Sequence, residues 1–315
     1  MPRKTDAMPT DYRRVGTDET ELDLPEGVAD LRTLPDPDFL ADWDAIITGP
    51  GLKERLLSQA VLNFTMRARV DPSRVPLHGL IVLVGPPGNG KTSLARGLAA
   101  RTAETIQNGD PVRYLEVAPH SLTSAALGRS QQAVRKMFEE TIAEHAAFGR
   151  LIVLLDEVET IAADRSKLSL QANPIDVHRA SDAVLSGLDY LARRHPALLF
   201  LATSNFRDAV DSAFLSRADL IVTLGPPSAD ACRLILENTL GALGAIWPSV
   251  AELTMAPDFS QLGERCVGLD GRQVRKAVVA ACAFDKATAL DPSRLTTSDL
   301  ARAIDHARTS RESEA

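Results

Sequence analysis

Gly85-Pro86-Pro87-Gly88-Asn89-Gly90-Lys91-Thr92 follows directly on the apolar run Leu80-Ile81-Val82-Leu83-Val84 and opens a run of helix-forming residues that starts with Ser93. It satisfies G-x-x-x-x-G-K-[ST], and it does so between a strand and a helix, the context that gives the motif its meaning. Backbone N–H groups of such a loop point at a phosphate, where the positive end of the helix dipole favours an anion. Lys91 adds a point charge on the β- and γ-phosphates, and the Thr92 hydroxyl suits Mg²⁺. Residues 85–93 are therefore expected to bind a nucleoside triphosphate, ATP with Mg²⁺.

The rest of the middle of the chain follows from this unit. Residues 80–84, 112–117, 151–155, 198–203 and 220–224 are short apolar runs rich in β-branched residues, and helical patterns at 92–105, 130–148 and 177–194 separate most of them. Alternation of fully apolar strands with helices predicts an α/β fold, a parallel five-stranded sheet flanked by helices. Another helical stretch is expected over 52–70. After Gly225-Pro226-Pro227 only helical patterns remain, at 229–243, 271–288 and 298–308, which predicts a small all-helical lid domain. The expected division is an irregular extension over 1–40, a large ATPase domain over 41–225, a lid over 226–309 and a tail over 310–315.

Two strand ends carry the remaining chemistry. The run Leu151-Ile152-Val153-Leu154-Leu155 ends in Asp156-Glu157. Asp156 is expected beside the Mg²⁺, and Glu157 opposite the water that attacks the γ-phosphate, an arrangement a hydrolase needs and a nucleotide-gated switch does not. The strand over 198–203 runs into Ser204-Asn205, whose amide can hold that water; an asparagine at a strand end also serves as a turn residue.

Composition bounds the alternatives. Hydrophobic residues make up 44% and charged residues 24% of the 315-residue chain, ordinary for a globular protein. The net charge of −7 argues against nucleic acid as a partner, since such binders carry a basic surface. Three cysteines without metal-ligand spacing read as reduced thiols. No signal-peptide core or membrane-length apolar run is present, so a cytoplasmic protein is expected.

The order of phosphate loop, Asp-Glu strand, Thr203-Ser204-Asn205 strand end and helical lid resembles that of AAA+ ATPases. More narrowly, Ala213-Phe214-Leu215-Ser216-Arg217-Ala218-Asp219, continuing to Gly225-Pro226-Pro227-Ser228, resembles the pachytene-checkpoint AAA+ remodelers, which act on HORMA-domain proteins. Residues 116–122, Asp156-Glu157-Val158-Glu159 and Gly268-Leu269-Asp270-Gly271-Arg272 are similar to that family too. The short stretch before the ATPase domain resembles the bacterial members found with cyclic-oligonucleotide antiphage systems, where a remodeler opens a HORMA protein and shuts off a nucleotidyltransferase. The resemblance implies a homohexamer with ATP at subunit interfaces, Arg217 as the arginine finger and Arg272 as the sensor arginine of the lid. It also implies that the loop ahead of residues 130–148 lines a central pore, with Ala126, Leu127 and Gly128 at the substrate-gripping positions, and Ala126 where an aromatic is usual. A clamp-loader or helicase-loader ATPase is the alternative: Ser216-Arg217 fits it, but no basic, aromatic-interleaved stretch does.

Overall fold

The computed structural model describes residues 24–71, 74–106, 110–122, 129–164 and 174–314. Its centre is a six-stranded sheet of β1 (Val28–Leu34), β2 (Leu80–Val84), β3 (Val112–Val117), β4 (Leu151–Leu155), β5 (Leu198–Ser204) and β6 (Leu220–Thr223), in the order β1-β3-β4-β5-β2-β6. β2 to β6 pair in parallel, while β1 pairs antiparallel with β3.

The sixth strand corrects the expected five-stranded sheet and the expected irregular extension over 1–40. β1 is an edge strand: Val28 and Leu34 at its ends are buried, and Ala29 to Thr33 between them are only partly covered or exposed. With one neighbour and one half-open face, such a strand needs no apolar alternation, so its sequence did not announce it. The helix Pro37–Ala45 follows, with Asp36 as its N-cap accepting from the N–H groups of Asp38 and Phe39, and it buries Phe39 and Trp43.

Alternate residues of the central strands feed two cores, as the pleat requires. Val82, Val84, Val153, Leu155 and Phe200 face the helix Pro174–Arg194 and the helical segment over 129–147. Ile81, Leu83, Ile152, Leu154 and Leu199 face the helices Pro37–Ala45, Leu52–Met66 and Lys91–Thr105. The segment over 129–147 is helical throughout but widens to a π-helix at Met137–Ile142. A third core, including Cys232, Leu236, Leu262, Cys266, Val278 and Ile304, belongs to the C-terminal helices. Two of these, Pro248–Glu252 and Phe259–Arg265, are too short to show a helical period in sequence. The helix expected over 271–288 divides into Gly271–Ala283 and Lys286–Leu290, and the last helix, Thr297–Glu314, runs through most of the expected tail. Cys232, Cys266 and Cys282 are free, the first two buried. Among the described residues, no helix is long and apolar enough to cross a membrane.

Asp219 clamps the start of β2. Its carboxylate accepts from the N–H groups of His78 (2.9 Å), Gly79 (2.7 Å) and Leu80 (3.1 Å), and its own N–H donates to the Leu80 carbonyl at 2.8 Å. Asp219→Ala strips three backbone donors of their partner, so it is expected to destabilise the fold by about 2–3 kcal/mol, seen as a lower urea midpoint. An unchanged midpoint would show that water replaces the carboxylate.

Candidate nucleotide site

The C-terminal ends of β2, β4 and β5 converge, and the crevice beyond such ends is where open α/β sheets bind ligands. The phosphate loop leaves β2 through Gly85, whose N–H donates to the Ser204 carbonyl at 3.1 Å. A Cβ at Gly85 would lie 2.2 Å from the Leu224 carbonyl oxygen, so only glycine passes the end of β6. Gly88 (φ +86°) is hemmed in similarly on the lid side, where a Cβ would come within 2.4 Å of the Asp270 carboxyl carbon. The helix Lys91–Thr105 starts at the loop's end with no acid among its own first-turn residues, an arrangement that favours an anion at its N-terminus.

Lys91 is buried, and its Nζ donates to the Pro86 carbonyl (3.0 Å) and to Asn205 Oδ1 (2.8 Å). Burial pulls the Lys91 ammonium below the ordinary lysine range, while Glu159, Asp156 and Glu157 pull the other way. The Thr92 hydroxyl donates to Asp156 Oδ1 at 2.8 Å. The Thr203 hydroxyl also donates to Asp156 Oδ1, and it accepts from the Glu157 N–H at 3.1 Å. That acceptor holds Glu157 in the left-handed region, φ 51°, the only such non-glycine among the described residues. This conformation costs about 1–3 kcal/mol and persists where the surroundings over-determine it, as at functional sites.

The Glu157 carboxylate is gripped at both oxygens. Asn205 Nδ2 donates to Oε1 at 3.3 Å, and His120 Nε2 lies 3.2 Å from Oε2. Asn205 thus bridges Lys91 and Glu157, and its own N–H donates to Glu159 Oε1 at 3.1 Å. The cleft these residues enclose, about 190 Å³, is also lined by Pro87, Gly88, Gly90, Ser93 and Arg272. Arg272 reaches it from the second position of the helix Gly271–Ala283, where Asp270 and Gln273 form a capping box that fixes the helix start.

The donor set fits a Mg²⁺-bound triphosphate. Thr92 and Asp156 offer hard oxygen ligands side by side, the donor type that suits Mg²⁺. Lys91, Arg272 and the unpaired first-turn N–H groups offer positive charge to the phosphates. Gly88 and Gly90 also line a second, more apolar cavity of about 390 Å³ with Ile46, Ile47, Pro50, Ile235 and Asn89. Its size and continuity with the phosphate cleft suit a base and ribose. Gly85 and Pro86 line neither cavity; Gly85 admits the turn and Pro86 receives Lys91.

One expected residue lies elsewhere. Arg217 precedes β6 at the opposite end of the sheet, about 15 Å away over a five-residue strand. There its guanidinium is paired with Asp189. Ala126, Leu127 and Gly128 lie outside the described residues. Sequence reading overlooked His120, Thr203 and the Ile46-Ile47 wall. Thr203 stood one step inside the quoted strand end, and Ile46-Ile47 before Gly49-Pro50-Gly51 is an apolar pair ahead of a turn. His120 carried no signal beyond its place in the residue 116–122 run.

Sheet order, phosphate loop, acidic strand end and helical lid together define a P-loop nucleoside triphosphatase. The model of the ATPase family associated with various cellular activities (AAA) matches residues 81–226. The chain is 52% identical to CD-NTase-associated protein 6 of Pseudomonas aeruginosa over 289 residues, 92% of this chain and 95% of that protein. It is 34% identical to the pachytene checkpoint protein 2 homolog of Danio rerio over 303 residues, 89% of this chain and 70% of that one. Its fold matches a chain in the structure of the E. coli MS115-1 HORMA:CdnC:Trip13 complex, at 20% identity and TM-score 0.66, over 89% of this chain and 95% of that chain. The chain belongs to the AAA family of the pachytene checkpoint protein 2 homologs and CD-NTase-associated protein 6.

Proposed function

We propose that this protein hydrolyses ATP in a homohexamer and spends the energy on opening a HORMA-domain protein, thereby restraining a nucleotidyltransferase of a bacterial antiphage system. The observation that carries the hydrolytic part is the grip on Glu157 by Asn205 and His120 at the mouth of a cleft containing Lys91. The similarity to CD-NTase-associated protein 6 across nearly its full length, and the fold shared with a chain of a HORMA:CdnC:Trip13 complex, support the choice of substrate.

In this reading the base and ribose lie in the Ile46–Ile235 cavity, and Lys91, Arg272 and the loop N–H groups hold the phosphates. Thr92 and Asp156 would hold Mg²⁺, which would offset the charge of the phosphates. Asn205 and Glu157 orient a water against the γ-phosphate, and a Glu157 oxygen takes its proton. Arg217, too far from its own cleft, completes that of the adjacent copy. Leu127, with Ala126 and Gly128, contacts the substrate in the pore; without an aromatic there, six copies grip weakly, suited to tugging one marginally stable segment.

The experiment is to incubate the purified protein with ATP and a HORMA protein encoded by the same genome, bound to its nucleotidyltransferase. ATP-dependent release and loss of cyclic-oligonucleotide synthesis are expected. Turnover that leaves the complex intact would refute the substrate assignment and leave the ATPase assignment standing.

A further inference from the structure

Arg217 sits in a three-point mount built wholly from its own chain. Its Nε donates to Asp189 Oδ1 at 2.8 Å, its Nη2 to Asp189 Oδ2 at 2.8 Å, and its Nη1 to the Ala213 carbonyl at 2.7 Å. Asp189 belongs to the helix Pro174–Arg194 and Ala213 to the helix Ser212–Leu215, whose N-cap Asp211 is buried and accepts the Ala213 N–H at 2.7 Å. Two separate elements therefore fix the plane of one guanidinium. The Asp189 carboxyl is held below the usual carboxylate range by the Arg217 hydrogen bonds, so it is charged near neutral pH.

The geometry also determines what is left over. A guanidinium has five N–H donors, and the mount uses three. Nε has one hydrogen and it is spent; each terminal nitrogen has two and has spent one. The remaining pair is one N–H on Nη1 and one on Nη2, enough to take two oxygens of a phosphate at once. Arg217 lines a surface cavity of about 570 Å³ together with His78, Asp189 and Arg193, room for an approaching anionic group. A partly exposed ion pair adds little to stability, which leaves orientation as the larger consequence of the mount.

We propose that Asp189 is a positioning residue: by occupying the Nε/Nη2 side of Arg217, it holds the arginine extended with its terminal N–H pair presented to the γ-phosphate in the adjacent copy. The inference rests on the reading of Arg217 as a residue acting in trans. Asp189 itself touches neither phosphate nor water. It removes the cost of ordering a long side chain at the moment of phosphoryl transfer, and misplacement of such a group costs up to about a hundredfold in rate.

The test is steady-state ATP hydrolysis by the full-length assembled protein carrying Asp189→Ala, with Asp189→Asn as the shape-preserving companion should the alanine variant fold poorly. Asp189→Ala is expected to lower kcat by about tenfold or more, with Asp189→Asn between it and the parent, while KM for ATP moves less than about twofold. A merely structural role would lower the melting temperature without that split. The effect is also expected in trans: in co-assembled rings, Asp189→Ala in one set of subunits slows hydrolysis in the neighbours' sites. An unchanged kcat for either Asp189 variant, beside an Arg217→Ala protein that has lost turnover, would overturn the proposal. An Arg217→Ala protein with full turnover would instead overturn the reading beneath it.

Discussion

Glu157→Gln is expected to bind ATP as tightly as the parent, to lose turnover by about a thousandfold, and to accumulate as the nucleotide-filled ring. The replacement keeps the volume of the side chain and can still accept from Asn205 Nδ2, now 3.3 Å from Oε1. Thr203 continues to hold the backbone N–H, so the left-handed turn at residue 157 persists. What is lost is the carboxylate proposed to receive the water's proton. On the proposed reading Lys91, Arg272 and the loop N–H groups hold the phosphates, and the substitution touches none of them, so affinity is expected to stay. ATP that is bound and not consumed stabilises the assembled form by mass action. Single-turnover hydrolysis together with light scattering measures both halves, and rapid turnover by this variant would move the base to another residue.

Arg217→Ala is expected to bind ATP normally and to lose hydrolysis by about a hundredfold or more. Its guanidinium is at the N-terminal end of β6, a strand's length from its own chain's phosphate cleft, so truncation leaves the cleft's residues in place. The loss would come from the neighbouring site, where two N–H donors no longer meet the charge developing on the transferred phosphoryl group. Asp189 loses its partner too, but its carboxylate is 31% exposed, so water can reach it and limit the cost. Nucleotide titration and steady-state rates separate the two outcomes; weakened binding with unchanged kcat would place Arg217 in its own cleft after all.

The parts of the fold legible in sequence are those where a local pattern and its tertiary role coincide. Leu80–Val84 and Leu151–Leu155 are buried on both faces, so burial wrote itself as continuous apolar runs. β1 has one neighbour and a partly open face, so Asp30 and Arg32 are tolerated there and pair with each other, hiding the strand. The same distinction runs through the site. Lys91, Thr92, Asp156, Glu157 and Asn205 stand at strand or loop ends where the residue type declares the chemistry. His120 and Thr203 matter through the hydrogen bonds they make across neighbouring strands, and Asp189 through a helix 28 residues before its partner. No spacing rule reaches such pairs; only the folded sheet brings them together. Arg217 illustrates the converse, since its motif was conspicuous while its distance from the cleft needed coordinates.

The central claim is that each site is completed by an arginine from the adjacent copy. Co-assembling Glu157→Gln with Arg217→Ala subunits tests it most directly. Each variant alone is nearly inactive, yet in a mixed ring the Arg217→Ala subunit keeps its own Glu157 and receives an intact Arg217 from its Glu157→Gln neighbour. Recovery of ATP turnover on mixing, peaking near equal proportions, is the predicted result. A mixture as inactive as its components would contradict the account.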